Sequence, residues 1–276
     1  LIDDADVIVL AGYDPIEMRI DWRHAWLPGT EGKTVIEVSA QPNRHFVHQA
    51  DISFVCDVGA GLRALTDGLN GKPTWADGQA LKMRESLKAA FPTDEVWGPA
   101  AVIDAARQAF PKHGFAAVDT GAHRILLSQQ WMCYGPRTLV QSTGLCTMGC
   151  AMPLAMGHKI ANPDTPVIAF MGDAGMEMVL GEMATLRDMK LPVVTIVFVD
   201  ESLSLIELKQ RANRQDNVGV DFGGTDFAAV AKAMGGNGVT ATSRDTLMSA
   251  IEAGLNADTF TVIACPIGRK AYDGRF

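Results

Sequence analysis

Two apolar runs dominate the second half of the chain, Pro166-Val167-Ile168-Ala169-Phe170-Met171 and Val193 to Val199. Both have the length and residue types of strands. Between them, Met176, Val179, Leu180, Met183, Leu186 and Met189 recur at the spacing that lays one stripe along a helix, so the pattern predicts a helix over Met176 to Lys190. Strand, turn, helix, strand is the unit of a parallel crossover. Phe115-Ala116-Ala117-Val118-Asp119 and Thr259 to Cys265 read as further strands of the same parallel sheet, and helices alternate with strands from Pro99 onward. Ser243, with Asp245 at the second helical position, caps a helix that runs to Leu255.

The first 70 residues form a separate pattern. A strand over Asp6-Val7-Ile8-Val9-Leu10-Ala11-Gly12 is followed by a second over Thr34-Val35-Ile36-Glu37-Val38 and a helix from Gly59 to Leu69. Asn70-Gly71-Lys72-Pro73-Thr74 is polar and rich in breakers, so it opens a linker, residues 71–95, in which a charged helix spans about residues 78 to 90. Residues 96–276 then form the second domain. The fold class predicted is α/β.

Candidate chemistry sits where the two central strands stop. Gly172-Asp173-Ala174-Gly175 follows the first, and the second ends at Asp200, 27 residues after Asp173. In a parallel crossover both carboxylates emerge at the carboxyl edge of the sheet, where open α/β sheets bind ligands. Gly172 and Gly175 let the backbone approach an anion, and the next helix offers its free amides to it. Two carboxylates beside such a loop suggest a bridging divalent cation, magnesium, which takes hard oxygen ligands from protein and phosphate together. A diphosphate-bearing cofactor is the simplest occupant. Taken alone, Gly-Asp-x-Gly after a strand is also an ordinary turn and cap; the second strand-terminal carboxylate favours the ligand. The chain has neither a Gly-x-Gly-x-x-Gly turn nor a phosphate-loop Lys, which counts against an ordinary nucleotide-binding domain.

Gly-Asp-Ala-Gly followed about thirty residues later by a strand-terminal Asp resembles the signature of thiamine diphosphate enzymes, Gly-Asp-Gly and then an Asn-Asn pair. Gly144-Leu145-Cys146-Thr147-Met148-Gly149, with Ala151 to Gly157 behind it, is similar to the Gly-Leu-Gly-Thr-Met-Gly stretch and helix of acetolactate synthases. Gly121-Ala122-His123 resembles their Gly-Gln-His turn, and Asp226 to Gly235 their Asp-Phe-x-x-Leu-Ala-x-Ala-x-Gly helix. Gly12-Tyr13-Asp14-Pro15-Ile16-Glu17, with Trp22 nearby, resembles a stretch in the middle domain of the catabolic members.

The resemblance implies a parallel-sheet thiamine diphosphate-binding domain over 96–276, preceded by part of a second, Rossmann-like α/β domain over 1–70. It implies that Asp173 and Asp200 bind magnesium through their side chains and Ser202 through its carbonyl. Gly121, His123, Gly172, Ala174 and Gly175 would meet the diphosphate, Met148 would sit under the bend of the cofactor, and the Cys146 carbonyl would accept from its amino group. These are positioning roles for a cofactor that reacts through its own carbanion. The substrate implied is a 2-oxo acid, decarboxylated, ligated to a second carbonyl compound, or both. A simple decarboxylase and a non-catalytic cofactor-binding fragment are the alternatives.

The departures from the family pattern are informative. Asp200 stands where most members carry Asn, as it does in the catabolic acetolactate synthases, and it adds a negative charge to the metal site. Lys209 falls where the biosynthetic acetolactate synthases carry the Trp of Gln-Trp-Gln, and Cys146 replaces a Gly. The family's activating Glu belongs to an amino-terminal pyrimidine-binding domain with no counterpart here, so the partner implied is that domain, from the same gene or a separate subunit, within a homodimer or homotetramer. The catalytic acid-base residue is therefore unassigned. Glu177, in a first helical turn, and Glu201, in a loop, are read as structural. Half a middle domain is an odd unit for a gene, which favours a carboxyl-terminal piece of a longer enzyme. The remaining half carries no motif for or against FAD.

Composition narrows the partners. A net charge of −8 and a pI near 5.2 argue against nucleic acid and anionic membranes. No apolar run approaches the roughly 20 residues that span a bilayer. Cys56, Cys133, Cys146, Cys150 and Cys265 are scattered and odd in number, which reads as reduced thiols in a cytoplasmic protein. His45 and His48 follow Pro42-Asn43 and read as a solvated loop or helix start, not a metal pair.

Overall fold

The computed structural model describes residues 2, 4–13, 33–42, 50–71, 75 and 77–276. Asp14 to Glu17, Trp22, His45 and His48 lie outside the described residues. Two compact units divide the chain, Leu1–Leu87 and Lys88–Phe276.

In the first unit, β1 (Val7–Ala11), β2 (Thr34–Ser39) and β3 (Ile52–Val55) form a parallel sheet in that order. Val9 pairs with Ile36 and Val38 with Phe54. Helix α1 (Val58–Thr66) starts at Asp57, whose Oδ1 accepts the Ala60 N–H at 2.8 Å. Gly61 lets this helix sit against β2, since a Cβ there would stand 2.6 Å from Val38 Cγ1. Helix α2 (Gln79–Ala90) buries none of its side chains, in keeping with its charged pattern, and the division between the units falls within it.

The second unit begins with α3 (Pro99–Ala109), β4 (Phe115–Val118), α4 (Ala122–Gln130), β5 (Leu139–Gln141) and α5 (Ala151–Ala161). Then follow β6 (Val167–Gly172), α6 (Asp173–Glu177), α7 (Glu182–Asp188), β7 (Val194–Val199) and α8 (Ser204–Ala212). It closes with α9 (Phe227–Ala233), β8 (Asn237–Thr240), α10 (Arg244–Leu255) and β9 (Thr261–Pro266). All six strands are parallel, in the order β5-β4-β6-β7-β9-β8. The expected α/β parallel-sheet class is therefore the observed one.

Alternate residues of β6 feed two separate cores. Ile168 and Phe170 pack with Ile196, Phe198 and Ile263 against α3, α4 and α10. Val167, Ala169 and Met171 pack with Val197 and Val262 against α5, α7 and α9. A parallel sheet covered on both faces explains why these strands read as continuous apolar runs. Ser243 caps α10, its hydroxyl accepting the Thr246 N–H at 3.3 Å, and Asp226 caps α9 by accepting from Ala229 at 2.9 Å.

Two expectations change. The single helix over Met176 to Lys190 is two helices, because the chain from Met176 to Ala184 closes i→i+3 bonds, such as Val179 N–H to the Met176 carbonyl and Ala184 N–H to the Gly181 carbonyl. Met176, Met183 and Leu186 still face the core, whereas Met189 is exposed. The sheet also gains two edge strands, β5 and β8, whose three and four residues carry too little apolar pattern to be read.

The chain order of the strands reverses about β4: β5 lies on one side of it and β6 on the other. That switch point opens a crevice at the carboxyl ends of the strands.

Candidate cofactor site

Three adjacent strands end in a buried carboxylate: Asp119 after β4, Asp173 after β6 and Asp200 after β7, exposed by 0%, 3% and 6%. Asp119 escaped notice as a site residue. It closes its strand just as Asp200 does, and that shared position was the available signal.

Asp173 opens α6, and its two oxygens accept backbone amides. Oδ1 takes the N–H of Ala174 at 2.9 Å, and Oδ2 takes those of Asp200 at 3.0 Å and Glu201 at 2.7 Å. Burial pushes its carboxyl above the usual range, against the pull of these amides. Asp200 is pushed up to about 7, first by burial and also by Asp173; a hydrogen bond from the Ser204 hydroxyl to its Oδ2, and the proximity of His123, act the other way. Ser202 lies in the loop between, bridged to Asp221, and its hydroxyl donates to Glu207 Oε2 at 2.9 Å.

Asp119 organises the other wall. Its Oδ1 lies 2.7 Å from His123 Nε2, and its Oδ2 accepts the Gly149 N–H at 2.7 Å, fixing the turn that leads into α5. The His123 ring stacks on Phe198, centroids 5.4 Å apart. Its Nδ1 edge faces Gly121 and Gly172, where a Cβ would stand 2.7 Å and 3.4 Å away. A Cβ on Gly175 would stand 2.2 Å from Asp119 Oδ2, so only glycine lets α6 begin this close to the dyad.

These elements enclose a cavity of about 120 Å³. Gly121, His123, Met148, Gly172, Asp173, Ala174, Gly175, Asp200 and Ser202, all singled out in the sequence, line it together. Cys146 does not; it sits in the loop before α5 with φ of +51°. Thr120, Ser204 and Tyr272 line the cavity without having been anticipated. The Thr120 hydroxyl oxygen is buried with no hydrogen-bond partner among the described residues, and burial, followed by Asp200, Asp173 and Asp119, keeps the Tyr272 phenol well above its usual range. Glu201 is exposed in the loop after β7, and Glu177, also exposed, is hydrogen-bonded by the Thr225 hydroxyl.

Architecture and site define a class, the α/β domains that hold a ligand at the carboxyl edge of a doubly covered parallel sheet. Residues 119–265 match the family described as thiamine pyrophosphate enzyme, C-terminal TPP binding domain, and the chain belongs to that family. Among its relatives, the acetolactate synthase of Bacillus subtilis (strain 168) is 27% identical over 279 residues, covering 97% of this chain and 48% of that protein. The catabolic acetolactate synthase of Raoultella terrigena is 27% identical over 276 residues, again 97% of this chain and 48% of the relative. The chain thus spans about half the length of the curated relatives it matches. The crystal structure of benzoylformate decarboxylase from Polynucleobacter necessarius matches the fold with a TM-score of 0.73 at 20% identity, over 96% of this chain and 49% of that one. No helix among the described residues is long and apolar enough to cross a membrane.

Proposed function

We propose that this chain is the diphosphate-binding half of a thiamine diphosphate- and magnesium-dependent enzyme that decarboxylates a 2-oxo acid, ligates it to a second carbonyl compound, or does both, as an acetolactate synthase does. The pair Asp173 and Asp200 carries the reading. Both carboxylates are buried side by side, and among the described residues neither is paired with a Lys or Arg. Burying like charges together is costly unless a cation neutralises them. Magnesium does so with oxygen ligands shared between protein and phosphate. Among the described residues no three His, Cys, Asp or Glu side chains gather as a metal site. Two carboxylates, a carbonyl and phosphate oxygens need no such cluster.

The cavity fits one end of a ligand. Its volume of about 120 Å³ lies far below the roughly 300–1,000 Å³ of whole small-molecule sites. The unpartnered Thr120 hydroxyl and the glycine-lined approach beside His123 suit a phosphate group.

In this reading Asp173, Asp200 and the Ser202 carbonyl hold the cation. Gly121, His123, Gly172, Ala174 and Gly175 receive the diphosphate, Met148 supports the bend of the cofactor, and the Cys146 carbonyl orients its pyrimidine. When bound, the cofactor would supply nucleophilic carbon chemistry toward a carbonyl substrate. The activating carboxylate comes from a pyrimidine-binding domain, encoded with this chain or supplied by another subunit of a homo-oligomer, and the unit Leu1–Leu87 is part of the intervening domain. The five free thiols suit a cytoplasmic setting.

Calorimetric titration with thiamine diphosphate, with and without magnesium, tests the reading. Magnesium-dependent binding that is lost in Asp173→Ala is the expected result. Equal affinity without the metal, or in the variant, overturns it.

A further inference from the structure

The segment after β9, residues 267–276, is tied by hydrogen bonds and ion pairs to β7, the loop that follows it, α8 and Glu95. Its first amide, Ile267 N–H, donates to the Val199 carbonyl at 3.0 Å. Arg269 reaches the loop that follows β7, donating to the Glu201 carbonyl at 3.0 Å and pairing with Asp221 at 3.1 Å. Asp273 receives both terminal nitrogens of Arg211 from α8, and Arg275 pairs with Glu95.

Each of these ion pairs is at least partly exposed, so individually they add little stability. Acting together they fix where the segment lies, and what they fix is Tyr272. This side chain is only 2% exposed, and it lines the cavity together with Gly121, His123 and Asp200. Among the described residues its hydroxyl makes no hydrogen bond, and its oxygen is not one of the fully buried unpartnered atoms, so it keeps some access to the cavity that the residue lines. Phenylalanine would fill the same space without offering a donor there. A neutral donor also suits this end of the cavity, where two carboxylates stand close by.

We propose that the Tyr272 hydroxyl donates a hydrogen bond to a diphosphate oxygen of the bound cofactor, so that segment 267–276 contributes to the site and sets cofactor affinity. This rests on the reading of the cavity as a diphosphate site. Tyr272 is a binding residue for that group, and the Gly175 amide serves the same anion from the α6 side.

The test compares wild type with Tyr272→Phe in binding magnesium pyrophosphate and, separately, thiamine diphosphate with magnesium. The variant is expected to lose about tenfold or more in affinity for both ligands, by the same factor, as befits a lost bond to a charged group. Its unliganded melting temperature should not fall, and its far-ultraviolet circular dichroism should stay unchanged. In protein labelled with 3-fluorotyrosine, and with resonances assigned through Tyr13→Phe, Tyr134→Phe and Tyr272→Phe, the Tyr272 signal should move on adding magnesium pyrophosphate. If wild type binds neither ligand, the diphosphate reading itself fails. Should wild type bind while Tyr272→Phe stays within about twofold of it, or the Tyr272 resonance stay still, the tyrosine contact is wrong and the site reading stands.

Discussion

Asp173 grips the main chain at Asp200 from 27 residues away: its Oδ2 accepts the Asp200 N–H at 3.0 Å, and the Glu201 N–H at 2.7 Å. One carboxylate thereby sets the backbone that carries the other. Both are disfavoured as anions by burial, so the geometry that brings them together costs stability unless positive charge arrives. The staple is observed and the cation site is the proposed second use of the same side chain, and substitutions can separate them.

Asp173→Ala removes the acceptor for three backbone amides, Ala174, Asp200 and Glu201. A loss of about 1–3 kcal/mol in unfolding free energy is expected, offset in part by release of the buried charge. Asp173→Asn keeps the shape and one acceptor oxygen but no charge. It should unfold close to wild type in urea while losing magnesium-dependent cofactor binding in calorimetry. If Asp173→Asn keeps that dependence, the carboxylate is a staple only.

Asp119 is fully buried between the His123 ring and the Gly149 amide. In Asp119→Asn the side-chain amide cannot serve both: with its oxygen on the Gly149 N–H, its NH₂ group faces His123 Nε2 and requires that nitrogen to accept. Nitrogen-15 spectra should show the neutral His123 proton on Nε2 in wild type and on Nδ1 in the variant. Tighter binding of thiamine diphosphate should accompany the change, because the ring nitrogen facing Gly121 and Gly172 turns from an acceptor into a donor toward an anion. An unchanged tautomer would remove Asp119 as the group that sets the ring.

The central strands and two of the three strand-end carboxylates, Asp173 and Asp200, were legible because burial on both faces leaves unbroken apolar runs, and Gly172-Asp173-Ala174-Gly175 marks where one of them stops. What stayed hidden depends on contacts between distant segments. Nothing local announces that Asp119 will hold the Gly149 amide 30 residues further on, or that Tyr272 will arrive from the end of the chain to line the same cavity. The stripe from Met176 to Met189 fits a helix by spacing alone, and periodicity does not distinguish an α-helical ladder from the i→i+3 turns that join α6 to α7.

Cys146 occupies the left-handed region at φ +51°, the conformation that glycine adopts freely and other L-residues resist by roughly 1–2 kcal/mol. The resemblance to Gly-Leu-Gly-Thr-Met-Gly acquires a physical cause, since that stretch has glycine where this chain has Cys146. Cys146→Gly should unfold within about 1 kcal/mol of wild type or be slightly more stable, strain relief being offset by the freedom glycine adds to the unfolded chain. Cys146→Val, branched at Cβ, should lower the melting temperature. Equal tolerance of Val and Gly would show that the loop relaxes out of this conformation.

Gly175 and Gly181 lie six residues apart on either side of the break between α6 and α7, yet they should respond oppositely to alanine. A Cβ on Gly175 would stand 2.2 Å from Asp119 Oδ2 and 3.2 Å from the Gly149 nitrogen. The first contact is with a carboxylate already held by His123 and Gly149, and the second is backbone, so neither neighbour can step aside cheaply. Gly175→Ala should cost about 1–3 kcal/mol and weaken binding of thiamine diphosphate, because it pushes apart the α6 turn and the Asp119–His123 pair. At Gly181 a Cβ meets nothing within 4 Å, and its φ of −61° suits any residue. Gly181→Ala should therefore add about 0.4–1 kcal/mol by restricting the unfolded chain. Urea denaturation of the two variants side by side decides it. If Gly175→Ala matches wild type in both stability and affinity, the close approach of α6 to Asp119 does not set the geometry of the cavity.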